Sequence, residues 1–148
     1  VGRSNVGKSS ALNSLSFRKK KVAVVSKTPG RTRLINLFKV GKACAITDLP
    51  GYGFAKVSRA LQDDWRKYIE AYLRGRENLR LVVMFVDSQI DPSPQDAQLL
   101  DFLDAEGLPT LVVATKADRL AKNAIEQSVA RLYALCPAAH SLARHYRS

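Results

Sequence analysis

The sequence has little of several things. Its 148 residues include two cysteines, two histidines, one methionine and one tryptophan. Cys44 and Cys136 make no CxxC pair and have no histidine at metal-ligand spacing, so a zinc or disulfide framework is excluded. Buried free thiols in a reducing compartment are the expectation. Apolar runs reach only about eight residues where roughly 20 are needed to span a bilayer, and no signal-peptide pattern opens the chain. These features argue against membrane and secreted classes and point to a cytoplasmic protein. Acidic residues are absent from the first third: residues 1–47 hold eleven Lys/Arg and no Asp/Glu, whereas residues 48–148 hold thirteen of each sign. The whole formal net charge of +11 therefore lies in that third. A solvated face is the ordinary reading of the run Arg18, Lys19, Lys20 and Lys21 taken alone. A long stretch without a carboxylate also builds a field that attracts phosphate, whether of a nucleotide, of RNA, or of both.

What is present is ordinary for one domain: 46% hydrophobic and 25% charged residues, without repeats or low-complexity segments. Residues 34–39 and 43–48 are apolar runs about Gly41 and predict a hairpin. Leu61, Trp65, Tyr68, Ile69 and Tyr72 share one face of a helix predicted over 59–74, which makes Trp65 a core residue. Residues 79–87 and 110–115 are β-branched runs of the kind that fills a parallel sheet buried on both faces. Between them Ser93 as N-cap, Pro94 at the first helical position and Gly107 as the stop predict a helix over 94–106. Ile125, Val129, Leu132 and Cys136 form another helical stripe, closed by Pro137. Strand and helix alternating in this way predict an α/β domain with a mostly parallel sheet.

Three motifs carry chemistry. Gly2-Arg3-Ser4-Asn5-Val6-Gly7-Lys8-Ser9 satisfies GxxxxGK[ST], in which backbone N–H groups curl around the β-phosphate and the lysine reaches the β- and γ-phosphates. The Ser9 hydroxyl then ligates Mg²⁺ where Ser9 and Ser10 open the following helix. Asp48-Leu49-Pro50-Gly51 follows a predicted strand, so its carboxylate can hold Mg²⁺ through water and the Gly51 N–H can meet a γ-phosphate. Ligands collect at the carboxyl ends of strands in such sheets, which gives a common DxxG pattern its weight here. Thr115-Lys116-Ala117-Asp118 fits [NT]KxD at the end of another strand. The Asp118 carboxylate can accept from N1–H and the 2-amino group of guanine, and Lys116 would pack its stem along the purine. Adenine offers neither donor. A helix-capping aspartate is the alternative reading of Asp118.

Together these motifs identify a P-loop GTPase, and their surroundings narrow the resemblance. GRSNVGKSSALNSL, SKTPGRTRLINLF, DLPGYGFAKV and TKAD, spread over about residues 2–120, resemble the EngB (YihA/YsxC) family of ribosome-biogenesis GTP-binding proteins in the wider Era/TrmE-like group. The resemblance implies a three-layer P-loop NTPase sandwich and a GTP-hydrolysing switch that binds GTP and GDP. It also implies a monomer that docks on the large ribosomal subunit and its rRNA. In TPGRT it assigns Gly30, Arg31 and Thr32 to the nucleotide, Thr32 as the switch I threonine that ligates Mg²⁺ and senses the γ-phosphate. Asn5 resembles the asparagine that helps hold K⁺ in potassium-stimulated relatives; a loop-shaping asparagine is the alternative. Tyr52 stands where Ras-like enzymes keep a water-orienting glutamine, so slow hydrolysis is expected, and no catalytic residue is identified.

The sequence departs from the family pattern at both ends. The GxxxxGK[ST] motif normally follows a strand, yet only Val1 precedes it, and Ser141-Leu142-Ala143, with Ser141 as the contact, is the only candidate for the last guanine motif. Pro137-Ala138-Ala139-His140 before it is not strand-like. The expectation is one GTP-binding domain over 1–148 that lacks its first strand and its C-terminal end. His140 and His145 are read as surface residues. Two other readings compete: a non-catalytic basic RNA-binding module on a truncated P-loop fold, and an adenine-nucleotide enzyme, against which Asp118 argues.

Overall fold

A computed structural model of the chain describes residues 1–15, 35–42, 44–53 and 59–135, except the side chains of 59–62 and 65. The Arg18–Lys21 run, Gly30, Arg31, Thr32, Cys136, His140, Ser141 and His145, and the Trp65 side chain, lie outside the described residues. The elements run α1 (Lys8–Leu15), β1 (Asn36–Val40), β2 (Cys44–Asp48), α2 (Arg59–Arg74), β3 (Val82–Asp87), α3 (Pro94–Ala105), β4 (Thr110–Thr115), a 3-10 turn (Ala117–Arg119) and α4 (Lys122–Leu135). This is the expected α/β alternation.

The hairpin forms as its residue pattern predicts, with β1 antiparallel to β2 from Asn36↔Asp48 to Val40↔Cys44 and Gly41 in the turn. Strands β3 and β4 pair in parallel from Val82↔Thr110 to Asp87↔Thr115. Residues 1–3 lie between these two pairs. Gly2 bridges Phe85 and Arg3 bridges Tyr52, both in parallel sense, and the Phe85 N–H donates to the Val1 carbonyl at 2.9 Å. Three residues thus hold the place expected of a first strand without forming a regular one.

Helix α3 is the clearest case of local chemistry setting an element. Ser93 caps it, Pro94 takes the first position, and Asp96 completes a capping box. Helix α2 has the expected limits, and its expected face holds at Ile69 and Tyr72 but not at Tyr68, with Leu73 added. Ile69 and Leu73 are buried and Tyr72 half-buried, whereas Tyr68 is 55% exposed. Strand β3 begins three residues later than its apolar run. Its ladder starts where the Val82 N–H meets the Pro109 carbonyl at 2.8 Å, and residues 79–81 precede the reach of β4.

The core lies on one face of the β3–β4 pair. Val82 packs with Leu49, Ile69, Leu73 and Leu103. Met84 and Val86 pack with Leu100, and with Leu132 and Leu135 of α4. Each such buried aliphatic side chain stabilises the fold by roughly 1.5–3 kcal/mol relative to exposure. Val83 and Phe85 point to the opposite face and are only half-buried, and Leu111, paired with Val83, is 47% exposed. Equal burial on both faces is therefore corrected, among the described residues, to full burial on the face where α2, α3 and α4 pack and half-burial of Val83 and Phe85 on the other. The expectation of a buried Cys44 is corrected too. It sits at the turn end of the hairpin, where Lys39, Val40, Gly41 and Lys42 are exposed too, with its thiol donating to the Val40 carbonyl at 3.7 Å.

Candidate functional site

The loop from Gly2 to Lys8 runs from the bridge with β3 into α1. Gly2 has φ +139°, and a Cβ there would lie 2.4 Å from the Phe85 carbonyl oxygen, so only glycine lets the chain pass against β3 before it turns. Val6 is buried, while Asn5 is exposed in a left-handed conformation at φ 61°. That conformation suits the loop-shaping reading of Asn5 and leaves its side chain at the surface. Ser9 and Ser10 follow Lys8 in the first turn of α1, Ser9 half-buried and Ser10 exposed.

Lys8 turns back over this loop. Its ammonium donates to the carbonyls of Gly2 at 2.9 Å and Arg3 at 2.8 Å. Gly51 lies against it: a Cβ on Gly51 would be 2.8 Å from Lys8 Nζ and 2.8 Å from the Ser4 nitrogen. The DxxG glycine therefore brings bare backbone to the lysine of the first motif. Burial pushes the Lys8 pKa down to about 8, against a raising influence from Asp48. Asp48, buried at the end of β2, has its pKa raised by burial, with Lys8 opposing. A carboxylate held among so little solvent favours a cation beside it. The described donors here, the Ser9 hydroxyl and the Asp48 carboxylate, are hard oxygens of the kind Mg²⁺ takes.

The third motif is tied to the first by one side chain. The Thr115 hydroxyl lies 2.7 Å from the Val6 carbonyl and 3.1 Å from the Val86 carbonyl. Next to it Lys116 adopts a left-handed backbone at φ 60° and places its ammonium 2.5 Å from Asp87 Oδ2. Asn5 and Lys116 are the two non-glycine residues with positive φ among the described residues, and both fall in the predicted motifs. Backbone strain of this kind concentrates at functional sites. Asp118 is exposed within the 3-10 turn, whose N-cap position is Lys116 and has no side-chain cap bond. It also lies outside α4, which begins at Lys122, so the capping alternative fails.

Two contributors are not singled out by the motifs. Asp87, opposite Thr115 in the strand register, accepts from Lys116 and from the Gln89 N–H. A carboxylate closing a buried parallel strand is a signal that the sequence offers. Asp96, near the start of α3, is the other. Its Oδ1 accepts at 2.5 Å from the phenol of Tyr52, which is buried and whose carbonyl accepts from the Ser4 N–H at 2.8 Å. Burial, then the hydrogen bond to Asp96, push the Tyr52 pKa up, so Tyr52 stays a phenol. Arg3 lends its carbonyl to Lys8 and lays its side chain along Gly53.

A family model described as 50S ribosome-binding GTPase matches residues 1–116. Among curated relatives, the probable GTP-binding protein EngB of Clostridium beijerinckii is 50% identical over 128 residues, covering 86% of this chain and 64% of its own length. That of Pelotomaculum thermopropionicum is 50% identical over 129 residues, 87% and 65%. That of Natranaerobius thermophilus is 43% identical over 132 residues, 89% and 68%. The chain thus spans about two-thirds of the length of these relatives. A crystal structure of a probable GTP-binding protein engB superposes with a TM-score of 0.75 at 28% identity, over 90% of this chain and 77% of that one. The fold is accordingly the α/β P-loop type that the motifs imply. No helix among the described residues is long and apolar enough to cross a membrane.

Proposed function

Because the chain belongs to the 50S ribosome-binding GTPase family, and within it to the EngB GTP-binding proteins, we propose that it is a slow GTP-hydrolysing switch acting in assembly of the large ribosomal subunit. The observation that carries this reading is the convergence of three motifs at strand ends. Lys8 lies against Gly51 and acts on Asp48, and Thr115 reaches across to Val6. In this reading the loop N–H groups and Lys8 take the phosphates, and Asp118 takes the guanine edge. Ser9 and Asp48, with Thr32 assigned by its motif, would hold Mg²⁺. When bound, Mg²⁺ neutralises charge on the β- and γ-oxygens. The protein works as a cytoplasmic monomer.

Turnover is expected well below the usual enzyme median of about 10 per second. Tyr52 occupies the place of a water-orienting glutamine, and its hydroxyl is committed to Asp96. If Asn5 holds a monovalent cation, exchanging Na⁺ for K⁺ raises the phosphate-release rate and Asn5→Ala removes the difference. A rate indifferent to K⁺ assigns Asn5 to loop shape alone.

The basic first third supplies the docking surface. Lys39 and Lys42 are exposed on the β1–β2 hairpin, and Arg18–Lys21 join them in the proposal by charge. Binding to large ribosomal subunits is expected to weaken with salt by about one unit of log-log slope per phosphate neutralised. Co-sedimentation over a salt series, in GDP and in a non-hydrolysable GTP analogue, tests this with the wild type and with Lys39→Ala/Lys42→Ala and Arg18/Lys19/Lys20/Lys21→Ala variants. Pelleting identical to wild type returns those lysines and arginines to a solvated face. Pelleting identical in the two nucleotides removes the switch from the proposal.

A further inference from the structure

Tyr52 is held at three points. Its backbone bridges Arg3, its carbonyl accepts from Ser4 N–H at 2.8 Å, and its hydroxyl donates to Asp96 Oδ1 at 2.5 Å. The acceptor is itself immobilised. Asp96 is 1% exposed, and its other oxygen accepts from the Ser93 N–H and the Ser93 hydroxyl, both at 2.7 Å. Tyr52 therefore ties the loop of the first motif to the N-terminus of α3, and Gly51 sits between the two with its backbone against Lys8. A phenylalanine and a leucine would fill this volume without desolvating a carboxylate. What the polar pair adds is direction, since a buried charge-assisted hydrogen bond holds one geometry.

We propose that Tyr52 is a positioning residue for the γ-phosphate, its buried bond to Asp96 holding the Gly51 N–H where a third phosphate meets it. This rests on the GTP-binding reading above. The pair touches no nucleotide atom; it acts through the backbone of the residue next to Tyr52. GDP has no group at that place. Loss of the bond is therefore read in the affinity for a triphosphate relative to a diphosphate, whereas a merely structural role lowers both together.

The test uses the whole chain and two probes, GDP and a non-hydrolysable GTP analogue, each measured by calorimetry with Mg²⁺. Tyr52→Phe removes the hydroxyl and keeps the ring. Asp96→Asn weakens the same bond from its other end and serves if the first variant does not fold. Leu100→Ala is the control, since it opens the core beneath α3 and leaves Tyr52, Asp96 and Ser93 in place. For either Tyr52→Phe or Asp96→Asn the ratio of analogue to GDP affinity is expected to fall roughly fivefold, the size an ordinary net hydrogen bond carries. For Leu100→Ala the melting temperature falls and the ratio stays. An unchanged ratio in the first two variants, or an equal fall in the control, overturns the proposal. A wild-type chain that binds neither nucleotide overturns the GTP-binding reading first and the inference with it, and that arm distinguishes the two failures.

Discussion

Replacing Lys8 by methionine is expected to weaken GTP and GDP binding by about 2–5 kcal/mol, or roughly thirty- to several-thousand-fold, the range found when one partner of a desolvated charge pair is truncated. Methionine keeps the length of the stem and removes the ammonium that sits on the Gly2 and Arg3 carbonyls, 2.9 and 2.8 Å away. Calorimetric titration with either nucleotide checks it, and normal binding by the variant would withdraw the assignment of the first motif. The same substitution has a signature in stability. Burial lowers the Lys8 pKa in the folded chain from 10.5 to about 8. Between these values the unfolded chain binds more protons than the folded one, so the contribution of Lys8 to stability rises with pH across that window. In denaturant melts of the nucleotide-free proteins, the gap between wild type and Lys8→Met should therefore shift in favour of wild type from pH 8 to 10. A phosphate beside the ammonium favours its charged form, so nucleotide binding in the same window takes up a proton. A gap that is flat with pH means a solvated lysine.

Contiguous chemistry is legible in this sequence, and chemistry assembled across the fold is less so. Ser93, Pro94 and Gly107 each act within a turn of their neighbours, and α3 falls within a residue of its expected limits. Strand β4 coincides with its β-branched run. The faces are harder to read. Residues 79–87 do not show which face is the more deeply buried, and it is the packing of α2, α3 and α4 on Val82, Met84 and Val86 that decides it. Tyr68 lies at one edge of the expected α2 face, so a modest rotation that keeps Ile69 buried exposes Tyr68 and brings Leu73 into the core. Cys44 is exposed together with Val40, Gly41 and Lys42 at the turn end of the hairpin, which its apolar neighbours in sequence do not encode.

The site follows the same division. Each phosphate and base motif is a run of a few residues, and its spacing is its signature. Asp96 meets Tyr52 across 44 positions, and Asp87 meets Lys116 across 29. No local pattern announces such pairs. In both, a carboxylate that serves a turn or a cap also holds a motif side chain: Asp87 accepts from the Gln89 N–H, and Asp96 completes the capping box of α3. The polar groups that shape the fold at these strand ends are therefore also those that orient the site.

The second large effect is expected at Asp118. Substitution by asparagine should cost at least a hundredfold in GTP affinity while raising that for xanthosine triphosphate. The carboxylate has two acceptor oxygens for the two donors that guanine presents, N1–H and the 2-amino group. An amide keeps an acceptor for N1–H but turns an NH₂ toward the amino group, which leaves donor facing donor. Xanthine carries a 2-oxo group there and accepts from the amide, so the mismatch becomes a match. Sites that hydrogen-bond a substrate group reject analogues lacking it by about 10⁴–10⁵-fold. Asp118 is exposed, so water recovers part of that penalty and the smaller figure applies. The neighbours keep the turn in place in the variant, since Thr115 still reaches Val6 and Lys116 still pairs with Asp87. Competition titrations of the wild type and Asp118→Asn with GTP, ATP and xanthosine triphosphate decide the matter. The wild type should prefer GTP to ATP at least tenfold. Equal wild-type affinity for GTP and ATP, or a variant that gains nothing for xanthosine triphosphate, would remove Asp118 from the base site, and with it the argument against an adenine nucleotide.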